Sequence, residues 1–261
     1  MQPDFSWYGL VALLGLAVGS FLNVLIYRLP RNEKMALERS RCPHCGHRIP
    51  LYLNIPLVSY LMLRGQCRWC RGPISFRYPL VEFLNGAFYL LFLYHDGLTV
   101  QLPFHCFLAS ALLAIFFIDL QFQLIPDKIT LPGIGVGLLG ALAVTPPGIV
   151  AALIGVVVGG GALLAVAYMG EWLFKKEAMG GGDIKMAAMM GAFVGWQKVL
   201  LIFVAGAFIG LVGSLVWMAF SRRLRRDRVI PFGPFLAAAA MAVMIYGDAV
   251  LRYYLNTFLR G

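Results

Sequence analysis

The feature that most constrains this chain is a series of apolar runs separated by charged connections. They lie near residues 8–27, 79–94, 102–120, 129–144, 149–169, 184–195, 199–220 and 232–251. A full bilayer crossing takes about 20 residues. The sixth run is shorter, so a partial, tilted or buried segment is expected there. Hydrophobic residues make up 60% of the chain and charged residues 13%, and the mean hydropathy is +0.78. A soluble fold of 261 residues needs more polar surface. The expected fold is all-α, a polytopic membrane bundle of about eight segments. Disorder, a secreted disulfide scaffold and nucleic-acid binding are excluded by the same composition.

The net charge is +10, and its distribution sets an orientation. The first connection, residues 28–78, holds ten Lys/Arg. Lys128, Lys175, Lys176, Lys185, Arg222, Arg223, Arg225, Arg226 and Arg228 fall on the same face, which collects 19 basic residues. The opposite face has Lys198, Arg252 and Arg260. The positive-inside rule puts the first loop in the cytoplasm and the N-terminus outside. A cleaved signal peptide is not expected, because Met1–Tyr8 lacks a basic region. The domains read as 1–27, the first transmembrane helix; 28–78, a cytoplasmic tetracysteine domain; and 79–261, the membrane core.

Three Gly-x-x-x-Gly spacings, Gly15/Gly19, Gly155/Gly159 and Gly206/Gly210, allow close helix approach. Packing inside the bundle is the preferred reading, with dimerisation as the alternative.

Four of the five cysteines sit in the first loop as Cys42-Pro-His-Cys45 and Cys67-Arg-Trp-Cys70. Two Cys-x-x-Cys pairs at this separation match a structural zinc site. A cytoplasmic loop disfavours disulfides, and a loop poor in large apolar residues needs a staple. A redox dithiol and an unmetallated cluster are the alternatives. His44 and His47 are expected beside the metal or in solvent, and Cys106 as a buried hydrophobe.

Carboxylates at the ends of apolar runs carry the strongest chemical signal. Asp119 closes the third segment and Asp183 follows Gly180-Gly181-Gly182 at the start of the sixth. Both fall on the cytoplasmic side. Two carboxylates brought close hold one proton between them. One then activates water while the other protonates a leaving group. The glycines leave the backbone open to an extended substrate strand. The alternatives are helix caps, also the reading for Asp127, and a proton-coupled transporter using the same pair.

Taken together, the chain resembles the type IV prepilin peptidases along nearly its whole length. The resemblance rests on Gly19-Ser20-Phe21-Leu22-Asn23-Val24 with Arg28-Leu29-Pro30, the four loop cysteines, and Arg77-Tyr78-Pro79-Leu80-Val81-Glu82. It also rests on Asp119 before Ile125-Pro126-Asp127, and on Gly180-Gly181-Gly182-Asp183-Ile184-Lys185. It implies an aspartyl protease of the inner membrane that removes a basic leader from prepilins or pseudopilins of type IV pilus and type II secretion systems. It implies Asp119 and Asp183 as the catalytic pair, and methylation of the new N-terminus by S-adenosylmethionine. The region Gly65–Cys67 is the expected neighbourhood of that donor, although Gln66 stands where the resemblance implies lysine. The leader and this face are both basic, so anionic membrane lipid and the acids Glu82, Asp127, Glu171 or Glu177 are the expected leader contacts.

Overall fold

The computed structural model describes residues 3–33, 41–42, 44–143, 147–175, 179–220 and 231–258. Lys176, Glu177, the arginines of 222–228 and Arg260 lie outside the described residues. Among the described residues, eight α-helices occur in order: α1 (Phe5–Arg28), α2 (Val58–Met62), α3 (Arg77–Asp96), α4 (Gln101–Phe122), α5 (Asp127–Ala143), α6 (Gly148–Phe174), α7 (Gly181–Phe220) and α8 (Gly233–Phe258). No strand occurs among the described residues, only two isolated bridges. Among the described residues, five helices are long and apolar enough to cross a membrane: α1, α4, α6, α7 and α8. The less apolar α3 and the 17-residue α5 fall outside that set. The chain divides into two compact units, Met1–Leu102 and Pro103–Gly261.

In the first unit, α1 and α3 touch through missing side chains. A Cβ on Gly15 would meet Gly86 Cα at 2.8 Å, and one on Gly19 would meet Glu82 Cα at 2.7 Å. With the backbones this close, polar side chains reach across. Asn85 Nδ2 donates to Gly15 O at 2.7 Å, and Asn23 Nδ2 to Tyr78 O at 3.0 Å. Helix α1 ends in a 3₁₀ turn at Leu29–Arg31, closed by Asn32 in the left-handed region, which asparagine tolerates.

In the second unit, α4 and α5 are antiparallel, with Gly140 against Phe104 and Gly133 within reach of Phe107. Gly155 of α6 packs on the Gly191 backbone, and Gly159 packs on Ala187. Gly206 and Gly210 lie against Leu236 and Phe235 of α8. All three Gly-x-x-x-Gly pairs therefore face partners within this chain, as the packing reading expects.

Helix α7 is a hairpin. A Cβ on Gly159 would lie 3.1 Å from the Ala187 carbonyl carbon and 3.3 Å from Val199 Cγ2. Twelve residues of straight helix would separate those two by about 18 Å. The break is Gly195, with φ 78° and ψ 172°, a conformation open to glycine. The expected sixth and seventh segments are thus two arms joined at Gly195. The first arm starts at Gly181, and its far end meets Pro147 at the start of α6. The second arm runs antiparallel to α8, from Lys198 paired with Asp248 at 2.8 Å to Gly213 against Phe235.

Candidate active site and metal centre

The two Cys-x-x-Cys segments fold as equivalent knuckles. Cys42 N–H donates to His47 O, and Cys67 N–H to Gly72 O, both at 2.9 Å. Gly46 N–H returns to Cys42 O and Arg71 N–H to Cys67 O. The bridges Arg41–Arg48 and Gln66–Pro73 close each loop. Gly46 and Arg71 both take positive φ to make the turn. The knuckles meet through His47 stacked on Trp69 at 3.9 Å. The His44 ring fills the space beside Gly72.

The four Sγ atoms of Cys42, Cys45, Cys67 and Cys70 lie within 4.8 Å of one another. Cys42 Sγ and Cys70 Sγ are 3.8 Å apart. A tetrahedral zinc with bonds of about 2.3 Å has edges of about 3.8 Å, so the donor set fits that ion. The backbone N–H groups of Cys70 and Trp69, in that order, draw the Cys67 thiol down to about 7. At Cys70 the Gly72 N–H acts in the same direction. There, burial and the hydrogen bonds with Cys45, Cys67 and Cys42 outweigh it and raise the thiol to about 11. Cys106 is buried in α4 and stands apart from the cluster.

Gly65–Cys67 does not fit a methyl-donor site built on free backbone groups. The N–H groups of Gly65, Gln66 and Cys67 are spent on Tyr60, Leu63 and Gly72 carbonyls. Gly65 has φ +70°, and a Cβ there would meet the Tyr60 hydroxyl at 3.0 Å. A bulkier residue at 65 would strain the second knuckle as well as fill space.

The second unit brings Asp119 and Asp183 to one end. Asp119 lies in the last turn of α4 and is 5% exposed. Asp183 lies in the first turn of α7, near enough for the charge of Asp119 to act on it. Its Oδ1 is buried and has no hydrogen-bond partner among the described residues. Asp183 N–H bonds to Gly180 O at 3.1 Å, which makes Gly180 the residue before the helix. Asp183 therefore does not cap α7.

Ile125, in the connection after α4, fixes this end. A Cβ on Gly182 would meet Ile125 Cβ at 2.8 Å, whereas one on Gly181 would meet nothing within 4 Å. Of the three glycines, Gly182 is required by packing and Gly181 leaves open space. Gly233, the first residue of α8, was not singled out from the sequence. Its N–H donates to the Asp119 carboxylate, and a Cβ there would crowd both Asp119 and Ile125. The Gly233-Pro234 pair opening a helix was the signal available.

Asp127 departs from the capping expectation. Ile129 and Thr130 N–H groups both reach Pro126 O, so α5 begins at Asp127 and Pro126 precedes it. The Asp127 carboxylate instead takes both oxygens to Lys185 Nζ, at 2.7 and 2.8 Å. That pair ties the start of α5 to the first turn of α7. Glu171 is exposed on α6. Glu82 is no loop acid: it is buried within α3 and accepts the Leu57 N–H at 2.9 Å.

Comparison with known proteins identifies the family of the chain. The bacterial peptidase A24 N-terminal domain matches residues 13–95, and the type IV leader peptidase family matches residues 106–215. A prepilin leader peptidase/N-methyltransferase of Legionella pneumophila is 36% identical over 98% of both chains. Proteins of the same name from Aeromonas hydrophila and Pseudomonas aeruginosa are 38% and 37% identical. They cover 97% and 94% of this chain, and 95% and 92% of their own. No solved structure matches. With both segments matched in order and relatives aligned nearly end to end, the chain belongs to the type IV leader peptidase family.

Proposed function

We propose that this chain cleaves the leader peptide of type IV prepilins or pseudopilins and then methylates the new N-terminal amine. Asp119 and Asp183 carry the cleavage, at the cytoplasmic face of the inner membrane. The observation that carries this reading is two aspartates at one end of the helical unit, with the buried Oδ1 of Asp183 unpartnered among the described residues.

The chemistry follows from the pair. One carboxylate takes a proton from a water molecule as the oxygen attacks the scissile carbonyl. The other holds a proton and delivers it to the departing amide nitrogen. The Gly233 N–H orients Asp119, and the Ile125 contacts hold Gly182 and Gly233 in place around the pair. The open space at Gly181 supports entry of an extended strand next to Asp183. The excess of Lys/Arg in residues 28–78 supports the cytoplasmic assignment. The Lys185–Asp127 pair is exposed and worth little as a source of stability. Its value is to fix the start of α7 relative to α5.

The four cysteines hold the two knuckles together around zinc. S-adenosylmethionine supplies an electrophilic methyl group when bound, and no residue of Gly65–Cys67 is assigned to it. The test is to incubate the purified full-length protein with a prepilin and a labelled methyl donor. Leader release and label transfer are expected for the wild type. A protein with Asp183→Asn that still released leader at the wild-type rate would overturn the dyad.

A further inference from the structure

The first unit holds a buried polar cluster that neither the aspartate pair nor the cysteine site uses. Glu82 of α3 is 8% exposed, and Asn23 of α1 is 3% exposed. Asn23 Nδ2 donates to Tyr78 O at 3.0 Å and to Gly19 O at 3.4 Å. In α3 the Tyr78 carbonyl is also the helical acceptor for the Glu82 N–H. Asn23 and Glu82 thus lie within one turn on the same seam, where Gly19 meets the Glu82 backbone. Ser20 and the Leu57 N–H both donate to the Glu82 carboxylate.

Unused acceptor capacity remains at this seam. Asn23 Oδ1 is buried with no partner among the described residues. Glu82 has no ion pair among them either; its two bonds come from neutral donors. Buried carboxylates are normally matched by a cation, and an amide oxygen seeks a donor. A divalent metal would call for a larger set of oxygen ligands. A primary ammonium carries three N–H donors and one charge, which suits one carboxylate and one amide oxygen.

We propose that Asn23 and Glu82 form a binding site for a primary ammonium group of the substrate chain. The identity of that chain rests on the leader-cleavage and methylation reading above. Two sources share the chemistry: the α-ammonium that cleavage creates, and a lysine side chain of the leader.

Glu82→Gln separates this role from a structural one. A glutamine oxygen still accepts from Leu57, and the side chain keeps its length and shape. A purely structural Glu82 therefore predicts no loss. The test measures Kd of the detergent-solubilised full-length protein for two probes. One is a short peptide with the mature N-terminal sequence, its amine free or acetylated; the other is the leader peptide, with lysine or norleucine. We expect Glu82→Gln to weaken one of these probes about tenfold or more. Its acetylated or norleucine counterpart should bind wild type and variant alike. Weakening of the free-amine peptide, with the lysine leader bound as tightly as by the wild type, identifies the α-ammonium, which does not exist before cleavage. Weakening of the lysine leader, with a raised KM for cleavage, identifies the leader lysine. Unchanged Kd for both probes overturns the site. Failure of the functional reading is separate: the wild type would then neither cleave nor methylate prepilin.

Discussion

The backbone N–H of Gly233 points at the Asp119 carboxylate, and a Cβ on Gly233 would lie 2.5 Å from Asp119 Oδ2. The last turn of α4 and the first residue of α8 therefore meet with no room for a side chain. Ile125 closes the same contact, 3.2 Å from that Cβ position. A residue 114 positions away from Asp119 decides where its carboxylate sits.

Gly233→Ala is accordingly expected to displace Asp119 while leaving α8 helical. A shift of about 1 Å at a reacting group costs about 10²-fold in rate. Leader cleavage should fall by roughly that factor, at matched membrane levels and with an unchanged circular dichroism spectrum. A wild-type rate for Gly233→Ala would show that Asp119 need not hold this position.

Asp119→Asn and Asp183→Asn should each lower cleavage by about 10²- to 10⁴-fold, the range for a lost acid or base. Asp127→Asn breaks only the exposed pair with Lys185 and should cost much less. Asp119→Asn is expected to keep methylation of an already cleaved pilin, since that reaction needs no water attack. Measuring the two rates separately on each variant checks this. Equal loss of both in every folded variant would place the two reactions in one shared site.

Purified protein should carry about one zinc per chain, the stoichiometry of a four-thiolate site. Cys42→Ser or Cys70→Ser should release it and lower yield or methylation. His47→Ala should keep the metal, because His47 stacks on Trp69 and is not one of the four donors. The ligands bind as thiolates, so protons compete with zinc. Occupancy, read by elemental analysis after dialysis, should fall as pH falls and be retained on the alkaline side. A metal-free preparation with both activities intact would contradict the staple.

Gly191→Leu should be among the most damaging substitutions outside the site. A Cβ there runs into the Gly155 backbone, which has no side chain to move aside. Overpacking of this kind costs about 1–3 kcal/mol or more, so reduced membrane accumulation and a lower unfolding temperature are expected. Gly161→Ala is the control, with nothing within 4 Å of its Cβ; it should accumulate normally.

The sequence alone determined the features that reside in local pattern. Apolar runs marked the long helices with ends off by up to seven residues, because a bilayer needs a continuous length of apolar surface. Two Cys-x-x-Cys spacings marked the knuckles, because each turn is made within its own few residues. Asp119 and Asp183 stood out because carboxylates at the ends of apolar runs are costly. Tertiary structure alone decided which surfaces meet. Helices apolar on every side carry no stripe to say which face is inward, so the crossing of Gly155 on Gly191 was not legible beyond its spacing. The Asp127 carboxylate read as a cap because local chain cues were all that bore on it; Lys185, 58 residues away, supplies its actual partner. Gly195 looked like any other glycine until its φ of 78° turned α7 back on itself. Gly233 was hidden, and the burial of Glu82 was not foreseen, for the same reason. Their roles depend on partners from other helices, and only the folded chain brings those partners within hydrogen-bonding distance.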